Sequence, residues 1–264
     1  MKVFMVDVAK CSGCYNCQIA CKDEHSGNDW APYAAPQPNS GQFWCAVKKR
    51  EHGQVPKVRV EYWPVFGGQD PAIADYAPEV LMEREDGLQV IMPEKAKGRR
   101  DIAERFEGVY YNEKLDVPQA CTGCAHLVDE GKLPHCVDLC ATGALRFGDA
   151  EEFASEIEAA ETLTPPSKGA PRVFYLNRPH LFIAGDVWDP KDNEIIEGAK
   201  VMLTMPNGET VETLTDDFGD FYFRGIDEGT YGLAIEARGF VPVERTAIDV
   251  TESVNLGDFP LERA

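Results

Sequence analysis

The sequence predicts an α+β chain in two parts: a cysteine-bearing first part that mixes strands with short helices, then an all-β antiparallel sandwich. Three observations lead there. All nine cysteines lie before residue 141. The formal charge of −19 is unequally divided, with 18 acidic and 6 basic residues in 181–264 against 27 and 20 before them. Between the two parts stands TLTPPSKGAPRVFYLNRPH, residues 162–180, whose Pro, Ser and Gly mark a linker. The expected division is therefore 1–161, a linker at 162–180, and 181–264. The aromatic, β-prone PRVFYLN inside the linker is expected to lie against the first part.

At 264 residues the chain can bury its cores without covalent staples. The opening MKVFMVDVAK is broken by Asp7 and is too short for a secretory apolar region, and no stretch approaches the length of a membrane span. The expectation is a cytoplasmic protein without a membrane anchor, or one exported together with a signal-bearing partner. Thiols in a reducing compartment point to metal rather than disulfides. The acidic balance argues against nucleic acid and anionic membranes, which need clustered Lys and Arg.

Eight cysteines fall into two sets of four. Cys11, Cys14, Cys17 and Cys21 are spaced C-x2-C-x2-C-x3-C, and Cys121, Cys124, Cys136 and Cys140 are spaced C-x2-C-x11-C-x3-C. In a bacterial-type ferredoxin the fourth cysteine of each run ligates the other cluster. By that logic one 4Fe-4S cluster takes Cys11, Cys14, Cys17 and Cys140, and a second takes Cys21, Cys121, Cys124 and Cys136. VFMVDVAK and GALRFGD would then form the strand pair closing a ferredoxin-like domain, with QIACKDEH and HCVDLCATGA as helical starts. Ser12, Gly13, Thr122 and Gly123 are small residues where backbone must approach a cluster closely. The alternative is a zinc-stabilised interaction module without a redox role, since four thiolates also bind zinc; the short spacing of three thiols in seven residues favours clusters.

The ninth cysteine, Cys45, reads as a buried small hydrophobe. His25, His126 and His135 are read as surface or internally satisfied side chains, with hydrogen bonding near the clusters as the functional option. Lys10 and Lys22 flank ligands. No nucleophile triad, phosphate loop or dinucleotide fingerprint is present, so no catalytic residue is assigned and any active site is expected in a partner.

Residues 26–118 read as a long loop insertion, with strand candidates FWCAVKKR, KVRVEYWPV and LQVIMP and a helix candidate KGRRDIAERF. DAEEFASEIEAAE reads as helical. Beyond residue 180, about seven short alternating runs stand between turn signals: LFIAGDVWD, AKVMLTM, TVETLTD, GDFYFRGI, GTYGLAIEA, VERTAIDV and SVNLGDFPL. They resemble carboxypeptidase-regulatory and collagen-adhesin B-type sandwich repeats. The first run contains no lysine, so no isopeptide bond is expected.

Taken in order, DVAKCSGCYNCQIACKDEH, REDGLQVIMPEKAKG, CTGCAHLVDEGKLPHCVDLC, PRVFYLN and the terminal sandwich resemble the small iron–sulfur subunits of the pyrogallol–phloroglucinol transhydroxylase family, electron-transfer subunits of the molybdopterin oxidoreductase superfamily. The resemblance spans essentially the whole chain. It implies a large catalytic partner, in a heterodimer or higher oligomer, carrying molybdenum or tungsten on a bis-pterin guanine dinucleotide and acting on polyhydroxylated aromatics. It also implies that the first cysteine motif faces that partner, and that a protein or small-molecule donor supplies electrons. Such subunits have two further cysteine motifs between the outer ones. Here WPVFGGQDPAIADYAP and AERFEGVYYNE stand in their place without a cysteine. Two clusters are thus expected, with side chains such as Phe66 and Phe106 filling the vacated volume.

Overall fold

The computed structural model describes residues 1–54, 57–163, 167, 169–178 and 180–264. Residues 164–166, 168 and 179 of the expected linker lie outside the described residues. The chain divides into two compact units, Met1–Lys49 with Glu61–Arg178, and Arg50–Val60 with Pro179–Ala264. As far as residue 178 the elements run β1 (Lys2–Asp7), α1 (Asn16–His25), β2 (Cys45–Gln54), β3 (Lys57–Phe66), α2 (Ala72–Tyr76), α3 (Arg100–Arg105), β4 (Tyr110–Asn112), β5 (Val117–Gln119), α4 (Ala125–Asp129), α5 (His135–Asp138), β6 (Leu145–Asp149), α6 (Ala154–Ile157) and β7 (Val173–Leu176).

The strand β1 is central in a three-stranded sheet, antiparallel to β6 and parallel to β7. Its VFMV run is continuous rather than alternating because both faces are covered. Phe4 and Val6 face a core shared with Cys21, Trp44, Cys121, Cys136 and Tyr175. Val3 and Met5 pack with Phe174, Phe153 and Ile157 on the other side. Phe4 stacks on Phe66 at 4.5 Å and lies 4.9 Å from Phe147, its partner across the β1–β6 ladder. Within the linker, PRVFYLN supplies β7, whose Met5↔Phe174 register places Phe174 beside β1.

The acidic run after β6 begins as expected, with Asp149 and Glu152 forming a capping box. It ends early: a 3-10 turn over Ala150–Phe153 is followed by only four α-helical residues. Glu161 has exchanged backbone hydrogen bonds with Tyr175, at 2.9 and 2.8 Å, so the chain is extended there. LQVIMP is buried but forms no ladder. Met82 N–H donates to Val90 O and Met92 N–H to Val80 O, and Leu81 and Ile91 form an isolated bridge.

In the second unit, β8 (Leu181–Asp189), β9 (Glu194–Ile195), β10 (Lys200–Thr204), β11 (Thr210–Leu214), β12 (Asp220–Ile226), β13 (Gly229–Glu236), β14 (Val243–Val250) and β15 (Val254–Pro260) form two sheets, ordered β11-β10-β13-β14 and β12-β8-β15, with β9 beside β8. Alternate residues, including Val201, Leu203, Phe221, Phe223, Leu233 and Ile235, turn inward to one core. One pair departs from the antiparallel expectation: β15 is parallel to β8. The chain leaves β14 for the opposite sheet, so β15 arrives beside β8 by a crossover rather than a hairpin. Arg263 closes this end with bonds to Asp189 at 2.6 and 2.8 Å.

Phe4→Ala should destabilise the protein by about 3–5 kcal/mol, the usual cost of emptying a buried aromatic site. Leu214→Ser, on a side chain 62% exposed, should change stability by less than about 0.5 kcal/mol. Urea unfolding followed by tryptophan fluorescence measures both.

Candidate metal centres

The β1–β6 ladder aligns Val6 with Leu145, and Asp7 N–H donates to Ala144 O at 2.8 Å. This sets the loop bearing Cys11 against the end of the segment bearing Cys140, although the two cysteines are far apart in sequence. Each motif turns sharply before its helix. Gly13 has φ +67°, and a Cβ there would meet the Tyr62 ring at 2.5 Å, so only glycine fits. Tyr15, ahead of α1, and Cys124, ahead of α4, are also left-handed, at φ 62° and 51°. Lys22, where the bacterial signature has proline, lets α1 run on to His25.

All nine cysteines are free thiols. Cys21, Cys121, Cys124 and Cys136 are buried, whereas Cys11, Cys17 and Cys140 are half-buried and Cys14 is exposed. Burial pushes the Cys11 thiol up, and the neighbouring Cys17, Cys140 and Cys14 add to the effect. Burial likewise pushes up Cys21, with Cys121 and Cys136 as its charged neighbours; Cys121, with Cys136 and Cys124; and Cys124, with Cys136 and Cys21. Cys45, which acts on both Cys17 and Cys136, apart, the thiols that act on one another fall into an outer group, Cys11, Cys14, Cys17 and Cys140, and an inner group, Cys21, Cys121, Cys124 and Cys136.

Backbone amides point at several of these sulfurs. Gly123 N–H donates to Cys121 Sγ and Leu145 N–H to Cys140 Sγ, each at 3.3 Å. Such donors, and a coordinated metal above all, stabilise the thiolate form that burial opposes. Among the described residues, no three His, Cys, Asp or Glu side chains converge closely enough to hold a single metal ion. The donor chemistry fits an iron–sulfur cluster in each group.

Three further side chains lie buried near the thiols. Lys22 is buried, with Nζ donating to the carbonyls of Pro38 at 2.9 Å and Gly41 at 2.6 Å, so it pins the following loop. His25 is 1% exposed, its Nδ1 3.0 Å from Cys21 O and its ring 4.9 Å from Trp44. Cys45 is buried as expected, in the core that also contains Cys21, Cys121 and Cys136. Glu24, which sequence reasoning did not single out, reaches His126 Nε2 at 2.9 Å and stands 3.0 Å from His135 Nδ1, at ion-pair distance though not aligned for a hydrogen bond. It follows Cys21 by three residues on α1, and that i, i+3 spacing was the available signal. Lys10 is 59% exposed and pairs with Asp7.

Phe66 and Phe106 are both buried, in separate cores. A cavity of about 450 Å³ lies against Trp44, Trp63, Phe66, Tyr110 and Tyr175. No helix of the described residues is long and apolar enough to cross a membrane.

Burial holds His25 well below its ordinary 6.5, at about 4. The unfolded chain takes up this proton near 6.5 and the folded chain only near 4, so its contribution is present above 6.5 and lost as the pH falls towards 4. The urea midpoint of His25→Gln should therefore fall less than that of the wild type between about pH 7 and pH 5.

Residues 69–150 match the 4Fe-4S dicluster domain, and residues 183–262 match the carboxypeptidase regulatory-like domain. The chain is 33% identical to the pyrogallol hydroxytransferase small subunit of Pelobacter acidigallici, over 96% of each chain. It is 24% identical to a subunit of the tetrathionate reductase of Salmonella typhimurium, over 68% of this chain and 73% of that one. With a subunit of the Escherichia coli anaerobic dimethyl sulfoxide reductase it shares 30% identity, over 57% of this chain and 74% of the other. The paired cysteine motifs, the terminal β domain and the near full-length likeness place the chain in the family of the pyrogallol hydroxytransferase small subunit, iron–sulfur electron-transfer subunits of oxidoreductase complexes.

Proposed function

We propose that the chain holds two 4Fe-4S clusters, the outer one on Cys11, Cys14, Cys17 and Cys140 and the inner one on Cys21, Cys121, Cys124 and Cys136. With them it passes electrons between an external donor and a large catalytic subunit. The reading rests on one observation above all: Cys140 neighbours the thiols of the first motif, and Cys21 those of the second. The residues matching the dicluster domain contain only four cysteines, so ligands for a second cluster have to come from the first motif. The bound clusters supply one-electron steps. This chain's own residues position the thiols, aim amides at them and, through the burial of the inner group, keep water from it.

The partner in this reading is a molybdenum or tungsten bis-pterin subunit acting on polyhydroxylated aromatics, by transhydroxylation or reductive dehydroxylation of a catechol. The similarity to a pyrogallol hydroxytransferase subunit supports that substrate class. Ile19 and Leu139, 50% and 45% exposed, stand beside ligands of the outer group together with the exposed Tyr15. Apolar side chains around an exposed ligand, Cys14, suit a surface that a partner subunit covers.

Anaerobically prepared protein should contain about eight irons per chain and matching sulfide, with broad visible absorbance bleached by dithionite. Two tightly bound zinc ions and a colourless protein would overturn the proposal in favour of a zinc module. Ile19→Asp and Leu139→Glu should keep the iron but reduce co-purification of the large subunit at least several-fold. Undiminished co-purification would remove this face from the interface.

A further inference from the structure

The two cysteine-free segments of the middle region, WPVFGGQDPAIADYAP and AERFEGVYYNE, converge on one cavity of about 450 Å³. The first supplies Trp63, Phe66 and Gly67 to its lining, and the second Glu107, Gly108 and Tyr110. Trp44 and Tyr175 add further aromatic walls. The cavity abuts the inner thiol group. Gly67 O accepts from Cys121 N–H at 2.7 Å, and Gln69 Nε2, on another lining residue, donates to Cys121 O at 2.8 Å. Both backbone groups of one candidate ligand are thus held by residues of the cavity wall. Trp44, Phe66 and Tyr175 also share a core with Cys21, Cys121 and Cys136. Lys48 and Glu107, paired at 2.7 Å and both exposed, give the lining a solvent-facing rim.

Trp44 is 1% exposed, and among the described residues its indole N–H is buried without a hydrogen-bond partner. A buried donor left unpaired is costly, and an acceptor in the cavity would satisfy it. A space of this size, walled by rings with polar groups among them, suits a small organic molecule. Ring walls favour a planar aromatic one through offset stacking. We propose that the cavity binds a planar aromatic two-electron carrier, a quinone or flavin ring whose carbonyl accepts from Trp44 Nε1, and that electrons enter the chain there. The proposal rests on the two-cluster reading above. The reduced carrier gives up two electrons and two protons and leaves oxidised. Each cluster takes one electron, the inner one being reduced first and passing its electron on to the outer one before the second arrives. The protons go to the Asp70 and Glu107 carboxylates of the lining and on to water. Entry beside the inner group and exit beside the outer one, with its exposed Cys14, gives the pair a direction.

The test uses anaerobically prepared protein with its iron counted, in wild type, Ala46→Trp, which fills the cavity from its wall, and Trp44→Phe, which removes the indole N–H. Calorimetric titration with menadione and with riboflavin reads binding. Mixing with the reduced form of each reads the rate of cluster bleaching, with dithionite as a reductant that needs no cavity. The expected result is saturable binding of a ring and a bleaching rate that saturates with its reduced form. Trp44→Phe weakens that binding several-fold. Ala46→Trp abolishes it and slows bleaching by the carrier several-fold, with iron and dithionite bleaching unchanged. Binding of menadione alone identifies a quinone site, and of riboflavin alone a flavin site. No binding of either ring would overturn the inference, as would bleaching by the carrier that is equally fast in Ala46→Trp. If Ala46→Trp loses iron, Trp44→Phe decides, and unweakened binding there overturns the inference. Wild-type protein with about eight irons and no bound ring removes the site alone; a bound ring without iron removes the two-cluster reading instead.

Discussion

Everything in the cysteine-bearing unit depends on the pairing of β1 with β6. A ladder that sets Val6 opposite Leu145 leaves the chain five residues short of Cys11 on one strand and five residues past Cys140 on the other. The two cysteine runs meet because their flanking strands do. Burial of β1 on both faces makes the register specific. A one-residue slip would exchange Phe4 and Val6 for Val3 and Met5 and disrupt two cores at once. The parallel strand β7 covers the remaining edge of β1, so no open ladder is left on either side of it.

The second consequence is electrostatic. Cys21, Cys121 and Cys124 resist ionisation, because burial opposes the thiolate and neighbouring sulfur charge adds to it. The fold answers with amide donors and with the charge of Lys22 beside Cys21. His25 stays uncharged against the Cys21 carbonyl, and Lys22 is occupied by the carbonyls of Pro38 and Gly41.

The cysteine spacing made the ferredoxin-like pattern legible, because a period of three and four residues on a loop entering a helix has few other uses. The sandwich was legible through alternation: Val201, Leu203, Phe221 and Phe223 all occupy inward positions that a period of two assigns. What the sequence concealed were contacts between distant segments. The parallel β15–β8 pair depends on a crossover that alternation does not record. The helix expected after β6 was cut short by the Glu161–Tyr175 backbone exchange, a tertiary pairing that overrides local propensity. Cys45 and Glu24 belong to the same class. Each reads as ordinary in its own segment, and becomes notable only when β2 and α1 are folded beside the second motif.

The interlocked ligand sets are the central claim, and paired serine variants test them most directly. Each of Cys11→Ser, Cys140→Ser, Cys21→Ser and Cys136→Ser is reduced and examined by electron paramagnetic resonance, with iron counted. If the account holds, Cys11→Ser and Cys140→Ser alter or lose the signal of one cluster, and Cys21→Ser and Cys136→Ser that of the other. If Cys11→Ser and Cys21→Ser affect the same cluster while Cys140→Ser affects the one touched by Cys136→Ser, each motif holds its own cluster and the interlocked arrangement is wrong.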